Sequence, residues 1–226
     1  MTLADRILSF NKNLKITSKL PSGVEVLNPF QQSDTFRLCK QFYKKYYNDS
    51  NTRTLIMGIN PGRFGAGLTG VPFTDPIKLE ERCGIPNTMQ KKAELSADFM
   101  YKMFDALGGP EFFFSNFYIS SVSPLGFVKD GKNLNYYDIK ELEKMVTAFA
   151  VDSLTKQLDF GLNREICFCL GEGKNFKFLN HLNEKYKFFN TIVPLPHPRF
   201  IMQYRRKQLT EFINFYVNRF HVGLSE

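Results

Sequence analysis

The sequence predicts an α/β fold: a three-layer α/β/α sandwich around a central four-stranded parallel sheet. Three observations predict it. Four short apolar segments read as buried strands: Leu55-Ile56-Met57, a run within Phe112 to Ser121, Glu165 to Leu170 and Asn190 to Leu195. Each is followed by a helical pattern or a crossover, which parallel neighbours require. The chain has 226 residues and shows no internal repeat, low-complexity stretch or linker, so a single domain over residues 1–226 is expected.

The elements follow in order. Leu3 to Leu14 carries apolar residues at helical spacing, and Leu20-Pro21-Ser22-Gly23 breaks the pattern. Val24 to Phe30 reads as a short extended piece, and Thr35 to Tyr47 as a basic, aromatic helix starting near Ser33-Asp34. Asn48 to Asn51 is a polar loop into the first strand. Ile77 to Lys92 reads as irregular, and Ser96 to Leu107 as a helix ended by Gly108-Gly109-Pro110. Phe112 to Ser121 is taken as one strand, Lys129 to Lys132 as a turn, and Tyr136 to Leu158 as a long amphipathic helix. The third strand leads into Gly171-Glu172-Gly173-Lys174 and a helix over Asn175 to Tyr186. The fourth runs into a loop, Pro196 to Met202, before a terminal helix over Gln203 to Phe220.

Composition narrows the function classes. No run of eighteen apolar residues exists, so no transmembrane helix is expected, and the N-terminus lacks an apolar signal core. The four cysteines, Cys39, Cys83, Cys167 and Cys169, form no C-x-x-C pair, which argues against a zinc or iron–sulfur site and suits reduced thiols in a cytoplasmic protein. The net charge of +8 fits a polyanionic partner. The 24 phenylalanines and absent tryptophan report a Phe-rich core.

The chemistry concentrates after the first strand, in Thr54 to Pro76, TLIMGINPGRFGAGLTGVPFTDP. The strand stops at Gly58-Ile59-Asn60-Pro61-Gly62, and ligands in open α/β sheets bind at such carboxyl ends. The stretch Gly58 to Phe73 resembles motif one of the single-strand-selective monofunctional uracil-DNA glycosylases, G-[MI]-N-P-G-x-F-G-x-x-x-T-G-V-P-F. The resemblance extends from about Leu20 to the end of the chain. It implies a monofunctional DNA glycosylase, a member of the uracil-DNA glycosylase superfamily, that hydrolyses the N-glycosidic bond of uracil in DNA and leaves an abasic site for base excision repair. It also implies a monomer that needs no cofactor or metal, acts on single- or double-stranded uracil-containing DNA, makes no membrane contact, and is cytoplasmic (nucleoid-associated if bacterial).

Residue roles follow from that resemblance. Asn60 would position the water, since a carboxamide orients water without being a general base. Phe73 would stack on a flipped base, with Ile59, Gly62 and Phe64 lining its edge. The family's second motif is His-Pro-Ser-Pro-Arg-Asn, and two registers are open here. A gapless count from Pro198-Arg199 puts Leu195 at the histidine, whereas direct matching of His-Pro puts His197 there. His197 is favoured as the only histidine near this strand end, with an N–H to stabilise the departing base anion. Arg199, Phe200, Ile201 and Met202 would form a wedge into the gap left by the flipped nucleotide. Lys174, Arg205 and Arg206 would contact phosphates. Ser121 falls where the family carries an asparagine that reads the base edge; with one hydroxyl it would read more loosely, admitting xanthine, hypoxanthine or oxidised bases. Asn116 is the alternative reader. Two other function classes stay open: a catalytically weak damaged-DNA-binding module of the same fold, and a small nucleotide-binding enzyme using Gly171 to Lys174. The second lacks the Walker spacing.

Overall fold

A computed structural model describes residues 1–224. The first helix, α1 (Leu3–Asn13), is closed by a capping box: Thr2 accepts from the Asp5 N–H and Asp5 accepts from the Thr2 N–H. Then come β1 (Val24–Leu27), α2 (Ser33–Tyr46), β2 (Thr54–Gly58), α3 (Ala66–Thr69), α4 (Pro76–Glu81), α5 (Leu95–Ala106) and α6 (Pro110–Asn116). The second half holds β3 (Phe117–Ser121), β4 (Gly126–Lys129), β5 (Lys132–Leu134), α7 (Lys140–Leu158), β6 (Ile166–Leu170), α8 (Lys174–Tyr186), β7 (Thr191–Leu195), α9 (Pro198–Tyr204) and α10 (Leu209–Val222).

Four strands make the expected parallel sheet, in the order β3-β2-β6-β7. Every residue of β2, β3 and β6 is buried, which is why these strands read as unbroken apolar runs. Pro194, opposite Cys169, is tolerated because β7 is an edge strand. From β2 the chain moves to β3 on one side, and from β6 to β7 on the other. The switch between β2 and β6 opens a crevice at the carboxyl ends, where open α/β sheets bind ligands. No helix among the described residues is long and apolar enough to cross a membrane.

The structure corrects several sequence readings. Phe112 to Asn116 is helical, not strand. Gly108 and Gly109 take φ of 111° and 98°, and Pro110 then opens α6. This local start and the packing of Phe113 on Phe104 and Phe117 override the strand preference of a phenylalanine run. Asp75 caps α4 inside the stretch read as irregular. The terminal helix is two: α9 ends at Tyr204 and α10 starts at Leu209. The helix read from Tyr136 starts only at Lys140. Before it, Lys132–Leu134 closes a hairpin, β4–β5, whose Asp130-Gly131 turn has φ of 49° and 69°, the two positive values of a type I′ turn. With β1 the hairpin forms a second sheet, antiparallel and three-stranded.

Candidate active site

The loops after β2, β3 and β7 and the end of β5 enclose a cavity of about 670 Å³ at the carboxyl edge of the sheet. Asn60 is fixed there from both ends. Its Oδ1 accepts from the Tyr136 N–H at 3.0 Å, and its Nδ2 donates to the Leu134 carbonyl at 3.1 Å. A backbone donor on one side and a backbone acceptor on the other set the amide orientation unambiguously. One lone pair of Oδ1 remains for a further donor.

Phe73 forms the wall beside Asn60. It sits at φ 52°, a left-handed conformation costly for an aromatic residue. Thr69 holds it there: its hydroxyl accepts from the Val71 N–H and donates to the Thr74 carbonyl at 2.6 Å. Gly58 makes the wall possible. A Cβ at Gly58 would lie 3.2 Å from Ser121 Oγ and 3.4 Å from the Phe73 ring, so both side chains close over bare backbone. The sheet ladder continues past the strand ends, with the Ser123 N–H donating to Ile59, which stiffens the floor.

His197 faces Phe73, with ring centroids 6.0 Å apart. It is the N-cap of α9, and its Nδ1 accepts from the Arg199 N–H at 3.1 Å. The neutral ring therefore carries its proton on Nε2. Burial, with the Arg199 charge adding to it, depresses its pKa to about 4, so it is a neutral donor at physiological pH. Leu195 is fully buried as the last residue of β7 and does not line the cavity, so the residue facing it is His197. The Tyr216 hydroxyl donates to the Pro196 carbonyl and anchors this turn from α10.

The cavity thus gathers Asn60, His197, Ile59, Gly62, Phe64, Phe73 and Ser121, together with Arg199 and Phe200. Asn116 lies at the opposite, amino end of β3 and bonds to the Phe112 carbonyl, so it cannot share this site. Ile201 and Met202 are corrected: they turn into the core, 0% and 3% exposed, because residues 198–204 form a helix with an inner face. The outer face exposes Phe200 (43%) and Tyr204 (63%), whose rings lie 5.6 Å apart. Arg205 and Arg206 follow on exposed surface, the Arg205 guanidinium 5.7 Å from the Phe200 ring. Lys174 lies outside the cavity, though its ammonium is 5.6 Å from the ring of Tyr137, which lines it.

The glycine turn after β6 is filled from within. Asn175 is buried, donates to the Leu170 carbonyl at 3.0 Å and accepts from the Tyr136 hydroxyl at 2.9 Å. Asn175 thus occupies the inner side of the turn, which weighs against a nucleotide-binding reading of Gly171 to Lys174.

Other wall residues were not foreseen. Lys132, Asn133 and Asn135 arrive with the hairpin, whose Asp-Gly turn was its one sequence signal. Arg63 and Lys92 bracket Phe64, with charged groups 4.4 and 3.6 Å from its ring. Glu94 lines the cavity from the start of α5, in a region without recognisable pattern.

Residues 44–221 match the family model of the uracil DNA glycosylase superfamily. The chain belongs to that superfamily. It is also similar along its whole length to the crystal structure of wild-type SMUG2 from Pedobacter heparinus, with 48% identity, a TM-score of 0.97 and full coverage of both chains. Membership places the protein among DNA glycosylases, whose partner is DNA, and fits the basic net charge of +8. The superfamily fold accounts for the parallel sheet; within it, the site is set by the loop after β2 and the turn before α9.

Proposed function

We propose that the protein is a monofunctional DNA glycosylase that excises uracil, and more loosely related deaminated bases, from DNA to leave an abasic site. One observation carries this reading: Asn60, Phe73, Ser121 and a neutral His197 converge on one cavity at the sheet's carboxyl edge. Phe73 offers a flat face for an extruded base. The His197 Nε2–H donates to the O2 of the departing uracil, stabilising charge that develops on bond cleavage. A neutral imidazole suffices, because the uracil anion is a fair leaving group. Asn60, already clamped, spends no further entropy when it orients the water.

Ser121 supplies one hydroxyl to the base edge, so fewer buried groups are left unpaired by a wrong base. That supports a substrate range reaching xanthine and hypoxanthine. The exposed pair Phe200 and Tyr204, flanked by Arg199, Arg205 and Arg206, is suited to hold the stack open on a duplex.

The test is excision from a labelled uracil-containing oligonucleotide, with and without EDTA, followed by heating in alkali. Alkali-labile sites that form equally in EDTA are expected. Binding without such sites would favour a damage-binding module. Lys132 lines the cavity, so borohydride trapping is the further control. A covalent protein–DNA adduct would overturn the monofunctional assignment.

A further inference from the structure

Glu94 is the N-cap residue of α5, yet its side chain caps nothing. Its backbone N–H donates to Asp75 Oδ2 at 2.9 Å, which fixes where the residue stands. The carboxyl itself has no hydrogen-bond or ion-pair partner among the described residues and faces the cavity. It is laid across the loop that carries Asn60. A Cβ built on Gly65 would come within 2.0 Å of Glu94 Oε2, and one on Gly62 within 3.6 Å of Oε1. A side chain at Gly65 would displace the carboxyl from this place.

A half-buried carboxyl without a partner carries a desolvation cost. Burial first, then the charge of Asp75, raises its pKa to about 7, with Arg199 opposing. A carboxyl so poised exchanges its proton near neutral pH, where a general base works best.

In the cavity wall, Phe73, Ser121 and His197 cluster around Gly58. Glu94 stands over Gly62 and Gly65, the glycines that follow Asn60. We propose that Glu94 is the proton acceptor for the hydrolytic water, working beside an Asn60 that orients water but cannot take its proton; this rests on the glycosylase reading above. The balance is complete. The water oxygen bonds to the sugar C1′ while the C1′–N1 bond breaks and its electron pair leaves with the base. His197 donates a hydrogen bond to that anion, and the water's proton passes to Glu94, which later releases it to solvent.

Other groups do not confuse the assignment. Asp75 at the start of α4 and Arg199 on α9 act on Glu94 directly. Arg63, Lys132, His197 and Tyr137 line the same cavity, and Asp98, on α5 itself, is paired with Lys78 and Lys102. His197 is depressed to about 4 and Tyr137, by burial, raised to about 12, so neither titrates near the Glu94 value.

The test is the pH profile of single-turnover uracil excision on a single-stranded oligonucleotide, for the unaltered protein, Glu94→Gln and Glu94→Asp. The unaltered rate is expected to rise through a limb near the Glu94 value. Glu94→Gln should lose about 10²–10⁴ in rate and the limb with it. Glu94→Asp should lose less and keep a displaced limb. Binding of an oligonucleotide with an abasic analogue reports folding of each variant. A Glu94→Gln rate within about threefold, or a slow rate that keeps the limb, overturns the proposal. If Glu94→Gln fails to bind, the limb in Glu94→Asp decides: its presence supports the role and its absence removes it. If the unaltered protein excises no uracil at any pH, the glycosylase reading fails and this proposal with it. If it excises and Glu94→Gln matches its profile, only this proposal falls.

Discussion

Two glycine turns end adjacent strands of the sheet, and they have opposite fates. After β2, Gly58-Ile59-Asn60-Pro61-Gly62 opens onto the cavity. After β6, Gly171-Glu172-Gly173-Lys174 is closed by Asn175. Each is served by one asparagine, Asn60 within the first and Asn175 just after the second, and both reach the same residue. Asn60 accepts from the Tyr136 backbone N–H, and Asn175 from the Tyr136 hydroxyl. The difference lies in what stands opposite. Phe73 and His197 hold a space open beside Asn60, whereas Tyr136 itself, buried at 0% exposure, fills the space beside Asn175. Glycine spacing makes a close backbone approach possible; the facing side chains decide whether a ligand or the protein's own core takes it.

Substitutions can break this comparison, beginning with the largest effect. Replacing Asn60 with Ala is expected to cut single-turnover excision by at least about 10²-fold, the scale of a misplaced reacting group, with DNA binding retained. A folded variant with near-normal chemistry would make Asn60 a second structural asparagine like Asn175.

His197→Ala should lose about 10²–10³ in rate, as for removal of one oxyanion donor. The pH behaviour follows from its depressed value, about 4 when folded against the ordinary imidazole value of 6.5. Unfolding then takes up a proton, so the contribution of His197 to stability is complete above the unfolded value and is lost as pH falls toward the folded one. Denaturant titrations across that window, run on the protein and on His197→Ala, should converge on acidification. Parallel curves would mean that the ring is not buried as a neutral group.

Exchange of Phe200 and Tyr204 for Ala should weaken activity more on duplex than on single strands, because only the duplex has a stack to open. Equal losses on both substrates would remove the wedge role.

Asn175→Ala tests the closed turn. It leaves the Tyr136 hydroxyl and the Leu170 carbonyl without their partner, at a cost of about 1–3 kcal/mol in denaturant stability. The chemistry of the folded fraction should hold. A rate loss as large as that of Asn60→Ala would instead make the two turns one functional unit through Tyr136.

The smallest effect is expected at Ser121. Ser121→Asn should raise the preference for uracil over xanthine and hypoxanthine in competition kinetics. Ratios unchanged in both Ser121→Asn and Ser121→Ala would take the residue out of base reading.

The parallel sheet was legible because its buried strands are apolar without interruption, and the loop after β2 because sixteen positions, Gly58 to Phe73, carry one pattern. What stayed hidden depends on contacts between distant segments. Phe112 to Asn116 has the composition of a strand, and only the paired glycines with Pro110 turn it into a helix. Ile201 and Met202 looked like a wedge because an apolar loop and the inner face of a short helix read alike over so few residues. Glu94 gave no local signal at all. Its position depends on Asp75 and on Gly65 lacking a side chain, neither of which a reading along the chain connects to it.

The clamp on Asn60 has a consequence for how such a protein can diversify. The hairpin grips the carboxamide through main-chain groups alone, the Leu134 carbonyl and the Tyr136 N–H. Its side chains at 132, 133 and 135 face the cavity and take no part in that grip; Asn133 instead accepts from the Arg63 N–H. Lys132 and Asn135 are therefore interchangeable parts on a fixed mount. Libraries at those two positions could retune which lesions the rim admits while the reacting centre keeps its geometry.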